Sequence, residues 1–391
     1  MTGARPSVCL VGGPDVDARL DFMNLLSREF DVSAAGTDPL LGPRFAAAGF
    51  EYRYYRMSRR LNPLLDMYSL WRLVRLFHRE QPTIVHTFDT KPAVWGRLAA
   101  RLAGVPIVVG TLPGLGSLYT DPDWTGRLTR AIYQRLQTFV SRHTDLTLFQ
   151  NADDAREFER RGVVPRHSVA IVHGSGIRTD LFAPPKSRDN VGAGRAELGL
   201  PATGVVVVMV SRILRSKGVL EFAAAARQVR QAAPEVTFLL VGPTDLDSRD
   251  TLTAGELAEV RRSVLWVGLR NDVKDILALS DVFVFPSFYR EGIPRALLEA
   301  ASMALPLVAV DGPGSRDVVV DGVNGFLVPP RNAEAIRDAV LRLARDPALR
   351  SRFGERARQR AIAEFDVARV AERTCSLYRA LLAGRHGARA A

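Results

Sequence analysis

The stretch Tyr289-Arg290-Glu291-Gly292-Ile293-Pro294-Arg295-Ala296-Leu297-Leu298-Glu299 carries two carboxylates eight positions apart around a Gly-x-Pro-Arg turn. An apolar run at 281–287 leads into it and reads as a buried strand. Pro294 suits the first turn of a helix, where a missing N–H costs nothing. The order is therefore strand, glycine-bearing loop, helix N-terminus. Backbone amides of Gly292, Ile293 and Arg295 at such a terminus suit an anion. Glu291 in the loop can accept hydrogen bonds from sugar hydroxyls. A helical glutamate is usually a surface group, but Leu297, Leu298, Ala300 and Ala301 place Glu299 on a partly buried face. A buried carboxylate needs donors, and vicinal ribose hydroxyls would serve.

A second constellation, Ser211-Arg212-Ile213-Leu214-Arg215-Ser216-Lys217-Gly218, follows the Val-rich strand 205–210. Arg212 as a planar fork and Lys217 as a mobile point charge can converge on a diphosphate. Taken alone, a solvated loop with incidental positive charge accounts for it equally well. That both loops end strands of one sheet favours a site. In the first half, His86 ends a strand and shares its loop with Asp89 and Lys91. The run 111–117, with Gly114 and Gly116, and the pair Gly12-Gly13 are glycine-bearing strand ends. Each suits close backbone approach to a ligand, and each suits a plain turn. Asp121-Pro122-Asp123 has the form of a metal-binding D-x-D, yet no His or third carboxylate stands near. Six His and two Cys, scattered, provide no metal centre.

These residues need a scaffold that brings strand ends together. Candidate strands lie at 7–12, 31–35, 51–55, 83–88, 107–111, 146–150 and 169–172, then at 205–210, 237–242, 264–268, 282–286, 306–310 and 326–328. Helical patterns fill most gaps, for example 64–79 and 128–142. Val-rich strands alternating with helices predict parallel sheets covered on both faces. A run rich in Pro, Gly and charge at 182–194 reads as a linker between two domains. A cleft at the carboxyl ends of both sheets is then the expected ligand site. The chain has 391 residues, 47% hydrophobic and 24% charged, enough for two ordinary domains. Cys9 and Cys375 provide no disulfide framework, which fits a reducing compartment. No secretory leader pattern and no apolar stretch of spanning length is present.

The net charge of +11 favours an anionic partner without choosing among phosphorylated ligand, acidic membrane and nucleic acid. Seven arginines (Arg53, Arg56, Arg59, Arg60, Arg72, Arg75 and Arg79) crowd residues 51–79 against Glu51 and Asp66. With Leu64, Leu65, Met67, Leu70, Trp71, Val74, Leu76 and Phe77 they form a basic amphipathic helix. Such a helix can lie at an anionic membrane, with Trp71 or Phe77 at an exposed edge. Packing of the apolar face on the sheet explains the same pattern.

Together these segments resemble the retaining glycosyltransferases of family 4. The matching stretches are 211–218, 290–300, 311–319 (Asp-Gly-Pro-Gly-Ser-Arg-Asp-Val-Val) and 321–329 (Asp-Gly-Val-Asn-Gly-Phe-Leu-Val-Pro). Residues 86–92 and Gly114-Leu115-Gly116 look like a pattern of members that extend polyprenyl-diphosphate-linked sugars for capsule, O-antigen or protein glycosylation. The resemblance implies an α/β, GT-B fold, two Rossmann-like doubly wound domains facing a cleft. Residues 1–183 would bind the acceptor, residues 200–365 the nucleotide sugar, and a helix at about 366–384 would pack back on the first domain. It implies catalytic roles for Glu291, Arg212, Lys217 and His86. Donor contacts would come from Gly13, Arg212, Lys217, Gly268, Leu269, Arg270, Gly292, Ile293, Pro294, Arg295 and Glu299. The loop 268–271 would face the base, and Lys91, Gly114 and Gly116 would meet the acceptor. The implied partners are a UDP-linked sugar, a polyprenyl-diphosphate-linked glycan and an anionic membrane surface, with no nucleic acid. No metal or other cofactor is implied, because two cations and backbone dipoles neutralise the diphosphate. The expected location is the cytoplasm, peripheral on the inner face of the cytoplasmic membrane. Phe88 stands where many relatives carry a second His, and Arg178 where relatives often carry Asp. Two rivals are a nucleotide-sugar epimerase on the same fold and a non-catalytic basic protein that binds membrane or nucleic acid. The second gives Arg212, Lys217, Glu291 and Glu299 no reason to co-occur.

Overall fold

The computed structural model describes residues 5–58, 62–112, 114, 124–187, 191–245, 248 and 250–390. Arg59, Arg60, Leu115, Gly116, Asp121 and Asp123 lie outside the described residues. The chain forms two compact units, Met1–Gly176 with Val367–Ala391, and Ile177–Asp366.

Among the described residues the first unit holds seven parallel strands: β1 (Ser7–Val11), β2 (Asp31–Gly36), β3 (Glu51–Tyr54), β4 (Ile84–Thr87), β5 (Ile107–Leu112), β6 (Leu146–Phe149) and β7 (Val169–Ile171). Their order is β3-β2-β1-β4-β5-β6-β7. Strands β4, β5 and β6 are buried along their whole length, as Val- and Ile-rich strands covered by helices on both faces must be. The helix Val367–Ala390 belongs to this unit. Val370, Ala371, Cys375 and Tyr378 on it join the core of Val8, Leu10, Phe22 and Met23. The Tyr378 ring meets Phe30 edge-on at 5.5 Å.

Among the described residues the second unit holds six parallel strands: β8 (Val205–Val210), β9 (Val236–Val241), β10 (Leu265–Trp266), β11 (Val282–Phe285), β12 (Leu307–Val310) and β13 (Gly325–Val328), in the order β10-β9-β8-β11-β12-β13. Every one of the thirteen strands falls within one or two residues of the position the apolar pattern predicts. In both sheets the first strand lies between its successor and a strand reached by a long crossover. That reversal opens a crevice at the strand carboxyl ends, β1 beside β4 and β8 beside β11.

The run at 182–194 is not a bare linker. It lies within the second unit and leads into the helix Val191–Glu197. Arg195 is buried there, its guanidinium donating to Asp281 at 2.6 Å and to the Leu279 carbonyl at 2.9 Å. Periodicity missed this anchor because one arginine, not an apolar stripe, holds the helix.

The helix Pro63–Glu80 starts at Asn62, whose side chain accepts from the Leu65 amide at 3.1 Å, and ends at Gln81 in the left-handed conformation. Leu70, Leu73 and Phe77 face the core, so Phe77, 1% exposed, is not an edge residue. Trp71 is 48% exposed, and Leu64, Met67 and Tyr68 are exposed with it. Spacings of three, four and seven residues from Leu64 put these four on one stripe. Arg72, Arg75 and Arg79 are exposed, and Arg75 stacks on the Trp71 ring at 4.7 Å.

Candidate functional site

In the second unit the loops after β8 and β11 are locked together by their backbones. The Ser216 carbonyl accepts from the Phe288 amide at 2.9 Å and the Tyr289 amide at 3.0 Å. Gly218, with φ of 76°, ends the 3-10 turn Arg215–Lys217. A Cβ there would collide with the Pro286 carbonyl, so only glycine lets the two loops approach so closely. Asp250 supports the first loop. It accepts from the Ser216 amide at 2.9 Å and from the Ser216 hydroxyl, while its carbonyl accepts from Arg215 N at 3.0 Å.

This clamp brings Lys217 and Glu291 into direct contact. The ammonium donates to the Glu291 carboxylate and lies 4.7 Å from the centre of the Tyr289 ring. The Lys217 side chain is only 10% exposed. Arg212 extends into solvent and pairs with Asp245 at 2.6 Å. The two cations expected at a diphosphate thus each carry a carboxylate partner. A dianion arriving at this edge can exchange with those partners, while a lone exposed cation would already be solvated.

Glu299 lies in the helix Arg295–Ser302 and is largely buried. Burial pushes its carboxyl up, against the pull of Arg295, which donates to it at 3.0 Å. Pro294 is one residue earlier than expected. It caps the helix from an extended conformation, with ψ of 120°, so Arg295 is the first helical residue. Ile293 is buried in the loop before it. Gly314, with φ of 78°, comes so close to the Gly292 carbonyl that a Cβ would collide with it. On the other side of β8, the Gly242 amide donates to the Gly268 carbonyl at 2.8 Å, leaving Leu269 exposed and Arg270 paired with Asp272 at 2.5 Å.

The first unit differs more from expectation. His86 is buried at the end of β4, with both ring nitrogens engaged. Nδ1 lies 2.5 Å from the Tyr378 hydroxyl and Nε2 2.6 Å from the Thr111 hydroxyl, and the ring stacks on Phe88 at 4.2 Å. Burial first, then the charge of Arg19, hold its pKa down to about 3. Placed so, the neutral imidazole ties β4 to β5 and to the C-terminal helix. Its sequence context, a strand end followed by Asp and Lys, does not distinguish a structural from a catalytic role. The unfolded chain protonates His86 at its ordinary 6.5, whereas the fold resists protonation down to about 3. The stabilising contribution is therefore complete above about 6.5 and declines as pH falls toward 3. His86→Gln should flatten that acid-side decline in urea midpoints. An undiminished decline would mean that other groups produce it.

Lys91 is already engaged. Its ammonium donates to buried Asp66 at 2.6 Å and to the Ser58 carbonyl at 3.0 Å, joining the helix Pro63–Glu80 to the loop after β4. The Gly13 amide donates to Asp89 at 2.8 Å, across the switch point between β1 and β4. Gly114 is left-handed at φ of 124°, while Gly116 and the Asp121-Pro122-Asp123 run lie outside the described residues. Arg178 pairs with Asp180 at 2.6 Å. Among the described residues no cluster of potential metal ligands occurs. Residue patterns gave no notice of Asp250 or Asp245. Each meets the loop after β8 from a part of the chain distant in sequence.

Residues 192–360 match the family model "Glycosyl transferases group 1", and residues 12–175 match the "Glycosyl transferase 4-like domain". The chain is 32% identical over 319 residues to the alpha-maltose-1-phosphate synthase of Mycobacterium tuberculosis, covering 77% of this chain and 80% of that protein. It is 29% identical over 324 residues to the UDP-Gal:alpha-D-GlcNAc-diphosphoundecaprenol alpha-1,3-galactosyltransferase of Escherichia coli, covering 82% of this chain and 81% of that one. In fold it resembles Anabaena Alr3699/HepE, solved in complex with UDP, with a TM-score of 0.78 at 18% identity over 96% of this chain and 100% of that one.

Proposed function

The chain belongs to the group 1 glycosyl transferases with a 4-like amino-terminal domain, a glycosyltransferase family of the GT-B fold, and for this member we propose transfer of a hexosyl or N-acetylhexosaminyl unit, with retention, from a UDP-sugar to a polyprenyl-diphosphate-linked glycan. The observation that carries the reading is the Lys217–Glu291 contact at the β8/β11 switch point, with Arg212 on the same loop as Lys217. UDP as donor and a diphosphoundecaprenol acceptor are named for the Escherichia coli relative. In this chain Lys217 and Arg212 would neutralise the diphosphate, Glu299 would accept from the ribose hydroxyls and Glu291 from the sugar. The loop Gly268-Leu269-Arg270 would face the base.

The acceptor hydroxyl attacks the anomeric carbon from the face that UDP leaves. The bond from C1 to the β-phosphate oxygen breaks as the new glycosidic bond forms. The hydroxyl proton passes to the departing phosphate oxygen. Negative charge grows on the diphosphate, so the main demand on the protein is preorganised positive potential there. Lys217 and Arg212 supply it without a metal.

Polysaccharide or glycoconjugate synthesis at the cytoplasmic membrane is the setting this acceptor requires. Among the described residues no helix is long and apolar enough to cross a membrane. The exposed stripe of Leu64, Met67, Tyr68 and Trp71, flanked by Arg72, Arg75 and Arg79, suits a peripheral contact with an anionic bilayer. Each arginine near such a surface contributes about 1 kcal/mol. Trp71→Ala with Arg72→Gln and Arg75→Gln should therefore abolish flotation with anionic vesicles. Equal flotation of this variant and the parent, or equal recovery on neutral lipid, would leave the stripe without that role.

The function is tested by incubating the protein with a panel of nucleotide sugars in EDTA, with and without a polyprenyl-diphosphate sugar. UDP release that depends on acceptor, with an axially linked product by NMR, is expected. An epimerised or free sugar formed without acceptor would point to the epimerase. A strict divalent-metal requirement would overturn the neutralisation argument.

A further inference from the structure

The Arg19 side chain is only 8% exposed, and its Nε is buried without a hydrogen-bond partner. Among the described residues its ion-pair partner is Asp89, at 3.8 Å, beyond hydrogen-bond length. Asp89 is already committed, because its other oxygen accepts from the Gly13 amide at 2.8 Å. The guanidinium carbon lies 4.0 Å from the centre of the Phe88 ring, a contact that satisfies no N–H. Arg19 lines a cavity of about 30 Å³, together with Phe22, Phe88, Gln150, Val172 and Val370. A single water needs ~10–15 Å³ on this measure, so the space takes a larger group. The cavity reaches the surface at Ser175, which is exposed.

The other polar groups of the wall are occupied. Thr111 and His86 bond each other, and the Gln150 amide donates to the Ser175 hydroxyl at 3.3 Å. His86, neutral in the fold, brings no second positive charge. The cavity thus has walls of apolar and already bonded polar groups, one fixed cation and, on that cation, an Nε–H with no partner. A guanidinium of this kind is costly to bury unless something completes it. Nε–H together with a neighbouring guanidinium N–H can face two oxygens of a phosphate group, and burial strengthens such a contact.

We propose that Arg19 forms an oxyanion-binding pocket in the first unit, which takes a phosphate group. The natural bearer, resting on the function proposed above, is the diphosphate of the lipid-linked acceptor. A free inorganic anion has the same chemistry. Binding is independent of sugar transfer, so the pocket stands or falls separately from the enzymatic reading.

The experiment is a methyl-NMR titration of the full chain, read at Leu148, Val172 and Val370, which line the cavity. One arm uses inorganic diphosphate and the other a short-chain prenyl-diphosphate sugar. Saturable shifts at these methyls are expected in at least one arm, and the arm that responds identifies the bearer. Arg19→Gln should weaken that binding by about tenfold or more, and Arg19→Lys should retain part of it. Arg19→Met should melt no lower than the parent, because it removes a poorly partnered buried charge and keeps the packing on Phe88. No shift at these methyls in either arm, or equal affinity in Arg19→Gln, overturns the proposal. A large loss of stability in Arg19→Met together with unchanged binding in Arg19→Gln assigns Arg19 to packing alone.

Discussion

Lys217→Ala is expected to lower kcat by about 10²–10³-fold, the usual effect of removing one preorganised contact to charge that develops in the transition state. The geometry makes Lys217 hard to replace. The Ser216 carbonyl is pinned by the Phe288 and Tyr289 amides, so the residue after it has one place to go. Its ammonium meets Glu291 and the Tyr289 ring there, and the side chain is nearly buried. Lys217→Arg should recover only part of the rate, because a planar fork does not fit a socket built for a compact ammonium. Glu291→Gln should cost rate as well, and the two losses should not add. Each single change leaves the other group without its partner, so a double-mutant cycle should report coupling of ~0.5–3 kcal/mol. Steady-state kinetics with saturating donor and acceptor measures all four proteins. Near-parental turnover in Lys217→Ala would remove this residue from the site, and strict additivity would mean that the contact with Glu291 has no bearing on catalysis.

Gly314→Ala is the second large effect, and it acts without touching any charge. Gly314 precedes the short helix Ser315–Val318 with φ of 78° and ψ of −43°, a conformation that strains any L side chain. Its Cβ would also collide with the Gly292 carbonyl and come within 3.4 Å of the Glu291 carbonyl. The Glu291 loop must then move. A shift of ~1 Å in a positioning element is enough to lose ~10²-fold in rate. Gly322 is the control. Its φ of 72° also disfavours an L side chain, but a Cβ there meets nothing within 4 Å. Gly322→Ala should therefore lose stability from backbone strain alone and keep its turnover. Urea denaturation and kcat for the pair separate the two terms. Equal turnover in both variants would show that the Gly292 contact does not set the position of Glu291.

The strands and their parallel arrangement were legible in the residues, because burial on both faces demands continuous Val, Ile and Phe runs and the intervening helices separate them. Val205–Val210 and Val282–Phe285 are of this kind. The types at the donor loop were legible for a similar reason. Arg212, Lys217, Glu291 and Glu299 stand at or just beyond strand ends in a pattern that apolar packing does not call for. The run at 182–194 misled because Pro and Gly mark a break whether or not a buried arginine nearby closes it, as Arg195 does on Asp281. What no local pattern contains is which strand ends become neighbours. Lys217 and Glu291 are 74 residues apart, and they meet because β11 pairs with β8 across a crossover. The same is true of His86, which reads as a strand-end histidine until Tyr378, 292 residues later, closes on its Nδ1. Trp71 and Phe77 are equally aromatic in the helix Pro63–Glu80, and only the packing of its one face on the core exposes the first and buries the second. The sequence by itself determined the elements and the chemistry available, because period and residue type are local properties. The tertiary structure decided the partners and the burial of each group, because sheet order and helix docking are settled by contacts between distant parts of the chain.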